Sequence, residues 1–232
     1  MRAVAIAKPA IYRSTVGKKA VMAVSGGVLV LFLIGHMVGN LKIFYGAEDF
    51  DHYAHWLRTM GEPAVPYRTL LTLLEVGLVV AVVAHMWSAT SLALRARRAR
   101  PVKYASRKKS HAQGYATHTM RYGGVIIALF IVWHLLDMTF LVVNPAGREA
   151  TPYERVVQGF APENWYVTLF YVVAVIMVGL HLAHGTWSAF NSLGLRTPRN
   201  NRTLRGVAFA LAGVVTLGFL AVPFAVTFGL VS

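Results

Sequence analysis

The chain has 232 residues, 56% of them hydrophobic and only 14% charged, with 23 Lys and Arg, nine Asp and Glu, and no cysteine. A composition this apolar describes a membrane protein rather than a soluble domain. The missing cysteines exclude disulfides, thioether-attached haem and cysteine-ligated iron–sulfur clusters within this chain.

Five stretches are apolar enough and long enough to cross a hydrocarbon layer of about 30 Å, which takes about 20 helical residues: approximately 20–41, 69–94, 122–143, 166–190 and 206–230. They leave no room for a sizeable soluble domain. The expected fold is one all-α integral membrane domain over 1–232, its first four helices forming a four-helix bundle. The first span is full length and lacks a small-residue cleavage pattern at its end, so it reads as a retained helix rather than a secretory signal. It carries His36 between Gly35 and Gly39. The second carries Glu75 and His85, with Ser88 and Ala89 about one turn on, and the third carries His134 and Asp137. The fourth carries His181 and His184, then Gly185. The fifth has no ionisable side chain between Gly206 and Ser232 and is expected to pack outside the bundle. Trp56, Trp133, Trp165 and Tyr67 fall near helix ends, where an interfacial aromatic belt accounts for them.

The loops between these spans alternate in charge. Arg2, Lys8, Arg13, Lys18 and Lys19 precede the first span; nine basic residues from Arg95 to Arg121 lie between the second and third; Arg196, Arg199, Arg202 and Arg205 lie between the fourth and fifth. None of these segments holds an acid, whereas Glu48, Asp49, Asp51, Glu62, Glu149, Glu154 and Glu163 fall in the other loops. The positive-inside rule then gives a cytoplasmic N-terminus, five crossings and an outside C-terminus. Topology accounts for the +14 net charge without nucleic acid, and so basic a face suits an acidic partner or anionic lipid headgroups.

An ionisable residue deep in a span is costly and marks function. With a rise of about 1.5 Å per residue, His36 and His134 lie in the outer half of the membrane and His85 and His181 in the inner half, the two levels about 15 Å apart. Two pairs, each drawn from two helices, is the arrangement two stacked bis-histidine haems need, since neutral imidazole is an axial ligand of haem iron. Small neighbours such as Gly35, Gly39 and Gly185 suit the approach of a flat macrocycle; an ordinary small-residue helix contact is the alternative account. Spacing alone does not separate His181 from His184, three residues later on a neighbouring part of the same face.

GKKAVMAVSG leading to HMVGNLKIF, HMWSA, MRYGG leading to WHLLD, and GLHLAHGTWSAFNSLGL together resemble the cytochrome b membrane anchor of succinate:quinone oxidoreductases, the succinate dehydrogenases and fumarate reductases, in its single-subunit, five-helix, two-haem form. The resemblance covers nearly the whole chain. It implies that His36 with His134 ligates a distal haem b and His85 with His181 a proximal one, the first His of HLAHG being the ligand. It further implies a cytoplasmic flavoprotein, an iron–sulfur subunit, electrons passing through both haems to a quinone, with menaquinone as acceptor by family analogy, and a place in the bacterial cytoplasmic membrane. One departure stands out. Relatives with a compensating proton path carry Glu two residues before the fourth ligand, where this chain has Gly179, so that route does not carry over.

Quinone reduction takes protons as well as electrons, which makes Glu75 and Asp137 candidate proton donors at an outer quinone site, with Lys42, His55 and Arg58 at its mouth. The plain alternative is that either acid pairs with Lys42 or Arg68. His118 and Arg121 are candidates for haem propionate contacts. Two other functions fit parts of the pattern: a cytochrome b anchor of a hydrogenase or formate dehydrogenase, and a haem-free proton channel or transporter using the histidines and Asp137.

Overall fold

The computed structural model describes residues 14–99 and 111–232, with the backbone alone for 111–119 and 121. Every regular element among the described residues is helical, and five helices are long and apolar enough to cross a membrane. Helix α1 (Thr15–Leu41) starts where Ser14 Oγ accepts the Gly17 amide at 2.9 Å, satisfying a donor that has no partner within the helix. It ends in a 3₁₀ turn, Lys42–Tyr45, and at Gly46, whose φ of 100° suits glycine. A short helix α2 (Ala47–Thr59) leads to α3 (Thr69–Arg98).

Helix α4 (His111–His134) widens into a π turn over Leu135–Thr139. The chain then reverses at Leu141, held in the left-handed region at φ 54°. Helical structure thus stops short of the residue 143 expected from apolarity alone. Helix α5 (Pro152–Gly159) opens with a capping box: the Thr151 hydroxyl accepts the Glu154 amide and the Glu154 carboxylate accepts the Thr151 amide. Helices α6 (Trp165–Ser192) and α7 (Asn201–Thr227) complete the chain.

Packing is uneven. α3 lies along α1, α4 lies along α6, and α7 packs on both α6 and α1. Met37, Leu182, Ala183, Ala212 and Val215 form the core where α1, α6 and α7 meet. Two glycines permit the approach of α7: a Cβ on Gly179 would meet Thr216 Oγ1, and one on Gly218 would meet the Met37 sulfur. The fifth span thus packs closely on α1 and α6, with at most sparse contact to α3 and α4. By contrast α1 and α4, and likewise α3 and α6, make at most sparse contact.

The short helices close one end of the bundle, called here the capped end. α2 packs on α5, with the Tyr153 amide donating to Asp51 at 2.9 Å and its hydroxyl donating to the Ser232 carbonyl at 3.1 Å. Thr227 donates to the Phe160 carbonyl at 3.0 Å. At the opposite, basic end Lys18 lies over the Trp87 ring, Arg196 over Trp187 and Arg205 over Phe209.

Candidate functional site

The two sparse interfaces are the places where histidines face each other. His36 of α1 and His134 of α4 have ring centroids 5.8 Å apart, with the ring planes at 78°. His85 of α3 and His181 of α6 lie 6.1 Å apart. Two imidazoles on opposite sides of one metal, each bound at about 2 Å, have ring centroids about 6 Å apart. The spacing in both pairs therefore fits a shared metal. Tyr171, which touches His134, and His181 sit on the same helix, about 15 Å apart along its axis. The His184 ring, on the same helix, lies 6.0 Å from Trp187.

Ring nitrogens test whether the pairs suit haem iron, which takes one nitrogen and leaves the other to a supporting group. His85 Nδ1 lies 3.2 Å from the Met22 carbonyl and 3.4 Å from Ser25 Oγ. Ser25 itself donates to the Val21 carbonyl at 2.7 Å. The Met22 carbonyl can only accept, so Nδ1 carries the hydrogen and Nε2 is left with its lone pair. His134 Nδ1 lies 3.3 Å from the Tyr171 hydroxyl. His181 Nδ1 is buried with no hydrogen-bond partner among the described residues. An unpartnered buried nitrogen is expensive in a closed core, so the surroundings of His181 suit a bound group that the protein alone does not supply.

The surroundings are apolar and flat. Phe32 stacks on His36 at 5.1 Å, and Phe219 of α7 lies 5.7 Å from the same ring. Phe130 lies 5.7 Å from His134. Of the glycines beside the histidines, Gly35 and Gly185 have open space where a side chain would project, whereas Gly39 is covered by Tyr53. Gly26 packs on His85, where a Cβ would stand 3.3 Å from Cε1. Gly26, Phe219 and Tyr171 are absent from the sequence reading, since one chain's periodicity does not give the register between helices.

The two intramembrane acids differ sharply. Glu75 is paired with Arg68 at 3.0 Å, both side chains nearly half exposed at 46% and 44%. Asp137 is 2% exposed. Its Oδ2 accepts the Tyr171 hydroxyl at 2.6 Å and its Oδ1 accepts Asn144 Nδ2 at 2.9 Å. Of the expected mouth residues, Lys42 lies over the Tyr53 and Tyr45 rings, and His55 is exposed on α2. Arg58 lies near Arg155, whose guanidinium is pushed below its ordinary range by partial burial and by Arg58, with Asp51 opposing. The side chains of His118 and Arg121 lie outside the described residues. Gly179 is closed off by Thr216, so no longer side chain fits there while α6 and α7 stay packed as they are.

Residues 96–221 match the family described as succinate dehydrogenase/fumarate reductase transmembrane subunit. The chain is 24% identical over 173 residues to the succinate dehydrogenase cytochrome b558 subunit of Bacillus subtilis (strain 168), covering 74% of this chain and 77% of that protein. No solved structure matches.

Proposed function

Because the chain belongs to the succinate dehydrogenase/fumarate reductase transmembrane subunit family, we propose that it is a diheme cytochrome b anchor, linking an iron–sulfur subunit to a membrane quinone. The observation that carries this is the pairing of His36 with His134 and of His85 with His181 across helices that otherwise barely touch. When bound, each haem b supplies one-electron transfer between the partner subunit and the quinone. His85 and His181 hold the haem nearer the basic end, and His36 and His134 the one nearer the capped end. His118 and Arg121 are proposed to reach propionates.

The chain's own residues do the rest. The Met22 carbonyl engages His85 Nδ1 and leaves Nε2 to serve as the ligand nitrogen. The phenylalanines around His36 and His134 keep water from that pair. The basic end, cytoplasmic by the positive-inside rule, docks the iron–sulfur subunit, which in turn joins a flavoprotein carrying the dicarboxylate site. At the capped end a quinone, menaquinone by family analogy, lies near α2 with Lys42, His55 and Arg58 around it, and Glu75 gives it a proton. A half-exposed ion pair holds its partners by only about 1 kcal/mol or less, so Glu75 is free to exchange Arg68 for a ligand. Asp137, with both oxygens taken, is assigned no proton to deliver.

Purifying the tagged chain from its native bacterial membrane in mild detergent tests the assignment. The expected preparation contains flavin-bearing and iron–sulfur subunits and a b-type cytochrome band that succinate reduces or fumarate reoxidises. A band reduced by hydrogen or formate instead would assign the chain to a different complex, and the absence of any cytochrome band would point to a channel or transporter.

A further inference from the structure

On the reading that His36 and His134 hold a haem, we propose that Asp137 is a positioning residue for His134, acting through the hydroxyl of Tyr171. Tyr171 has one hydroxyl hydrogen and donates it to Asp137 Oδ2 at 2.6 Å. Its oxygen is then left to accept from His134 Nδ1 at 3.3 Å. His134 is held as the Nδ1–H tautomer, with the Nε2 lone pair free for iron. The short bond to a carboxyl oxygen polarises the hydroxyl, strengthens its pull on Nδ1–H and makes Nε2 a more basic ligand.

The backbone is shaped to place this carboxyl. The π turn begins immediately after His134, and such turns are rare and concentrated at functional positions. The left-handed Leu141 reverses the chain, so that Asn144 comes back over the turn and donates to Asp137 Oδ1 at 2.9 Å. Asn144 is fixed in turn, its Oδ1 accepting the Ala146 amide at 3.0 Å and its Nδ2 reaching the Arg155 carbonyl at 3.3 Å. Asp137, Tyr171 and Asn144 are 2%, 6% and 7% exposed, so water does not compete for these bonds. The other pair has no carboxylate behind it among the described residues: His85 Nδ1 meets the Met22 carbonyl and Ser25 Oγ, and His181 Nδ1 has no hydrogen-bond partner there.

Redox titration of the purified complex, following each haem by its absorbance band and by the low-temperature paramagnetic resonance signal of its ferric form, tests this. Asp137→Asn is expected to raise the midpoint potential of the His36/His134 haem and shift its resonance signal, leaving the other haem unchanged. Tyr171→Phe should do the same, and the double variant should go no further than Tyr171→Phe alone. Retained haem with unaltered potential and signal in both single variants would overturn the proposal, as would an Asp137→Asn shift that persists undiminished in the Tyr171→Phe background. Absence of haem from the wild-type complex would instead overturn the diheme reading beneath it.

Discussion

Gly26 of α1 lies directly against the imidazole of His85 on α3, where even a methyl group would come within 3.3 Å of Cε1. The ring is wedged between this glycine and the carbonyl of Met22, 3.2 Å from Nδ1. Gly26→Val should therefore push His85 out of line with His181 and cost the complex the haem nearer the basic end. The other haem should remain, because α1 at His36 is more than two turns away. Retention of both bands at full amplitude in the optical spectrum would contradict this.

The pairing makes a positional prediction. His85→Ala and His181→Ala should each remove one and the same haem, His36→Ala and His134→Ala should each remove the other, and His184→Ala should keep both. Redox-resolved absorbance spectra of the five variants distinguish these patterns. Loss of the same haem in all four ligand variants would refute the pairing.

Glu75→Gln should lower quinone reduction by about tenfold or more, the scale on which a positioned proton donor acts, with both haems in place. Arg68→Gln is the control, since it breaks the same ion pair but leaves the carboxyl. If the pair is merely structural, the two variants behave alike in a quinone-reduction assay; if Glu75 gives a proton, only its own replacement carries the full loss.

Gly179→Ala would place a methyl group on Thr216 Oγ1. Overpacking of this kind costs about 1–3 kcal/mol, and a thermal melt in detergent should fall accordingly. Adding Thr216→Ala should restore most of the loss, a coupling expected of residues in contact. A Gly179→Ala protein as stable as wild type would show that α7 yields without cost.

These predictions divide along what one sequence can carry. The five spans follow from apolar length, and the levels of the histidines follow from helical rise, because both are properties of a single helix. The cap built by α2 and α5 was not legible, since short amphipathic helices sit in loops whose polarity reads as connection. Nor was the π turn after His134, which gives no periodic signal in five residues. Asp137 and Glu75 looked equivalent as buried acids; only the packing of α4 on α6 gives one of them Tyr171, while a neighbouring turn gives the other Arg68. Gly39 looked like room for a macrocycle and instead admits Tyr53, because helix rotation decides which glycine faces which gap.

Two haems in one chain is the central claim, and a dithionite-minus-oxidised difference spectrum of the purified protein, with haem extracted and quantified against protein mass, tests it most directly. The account predicts b-type bands and two haems per chain. A ratio near one, or no b-type band, would contradict it.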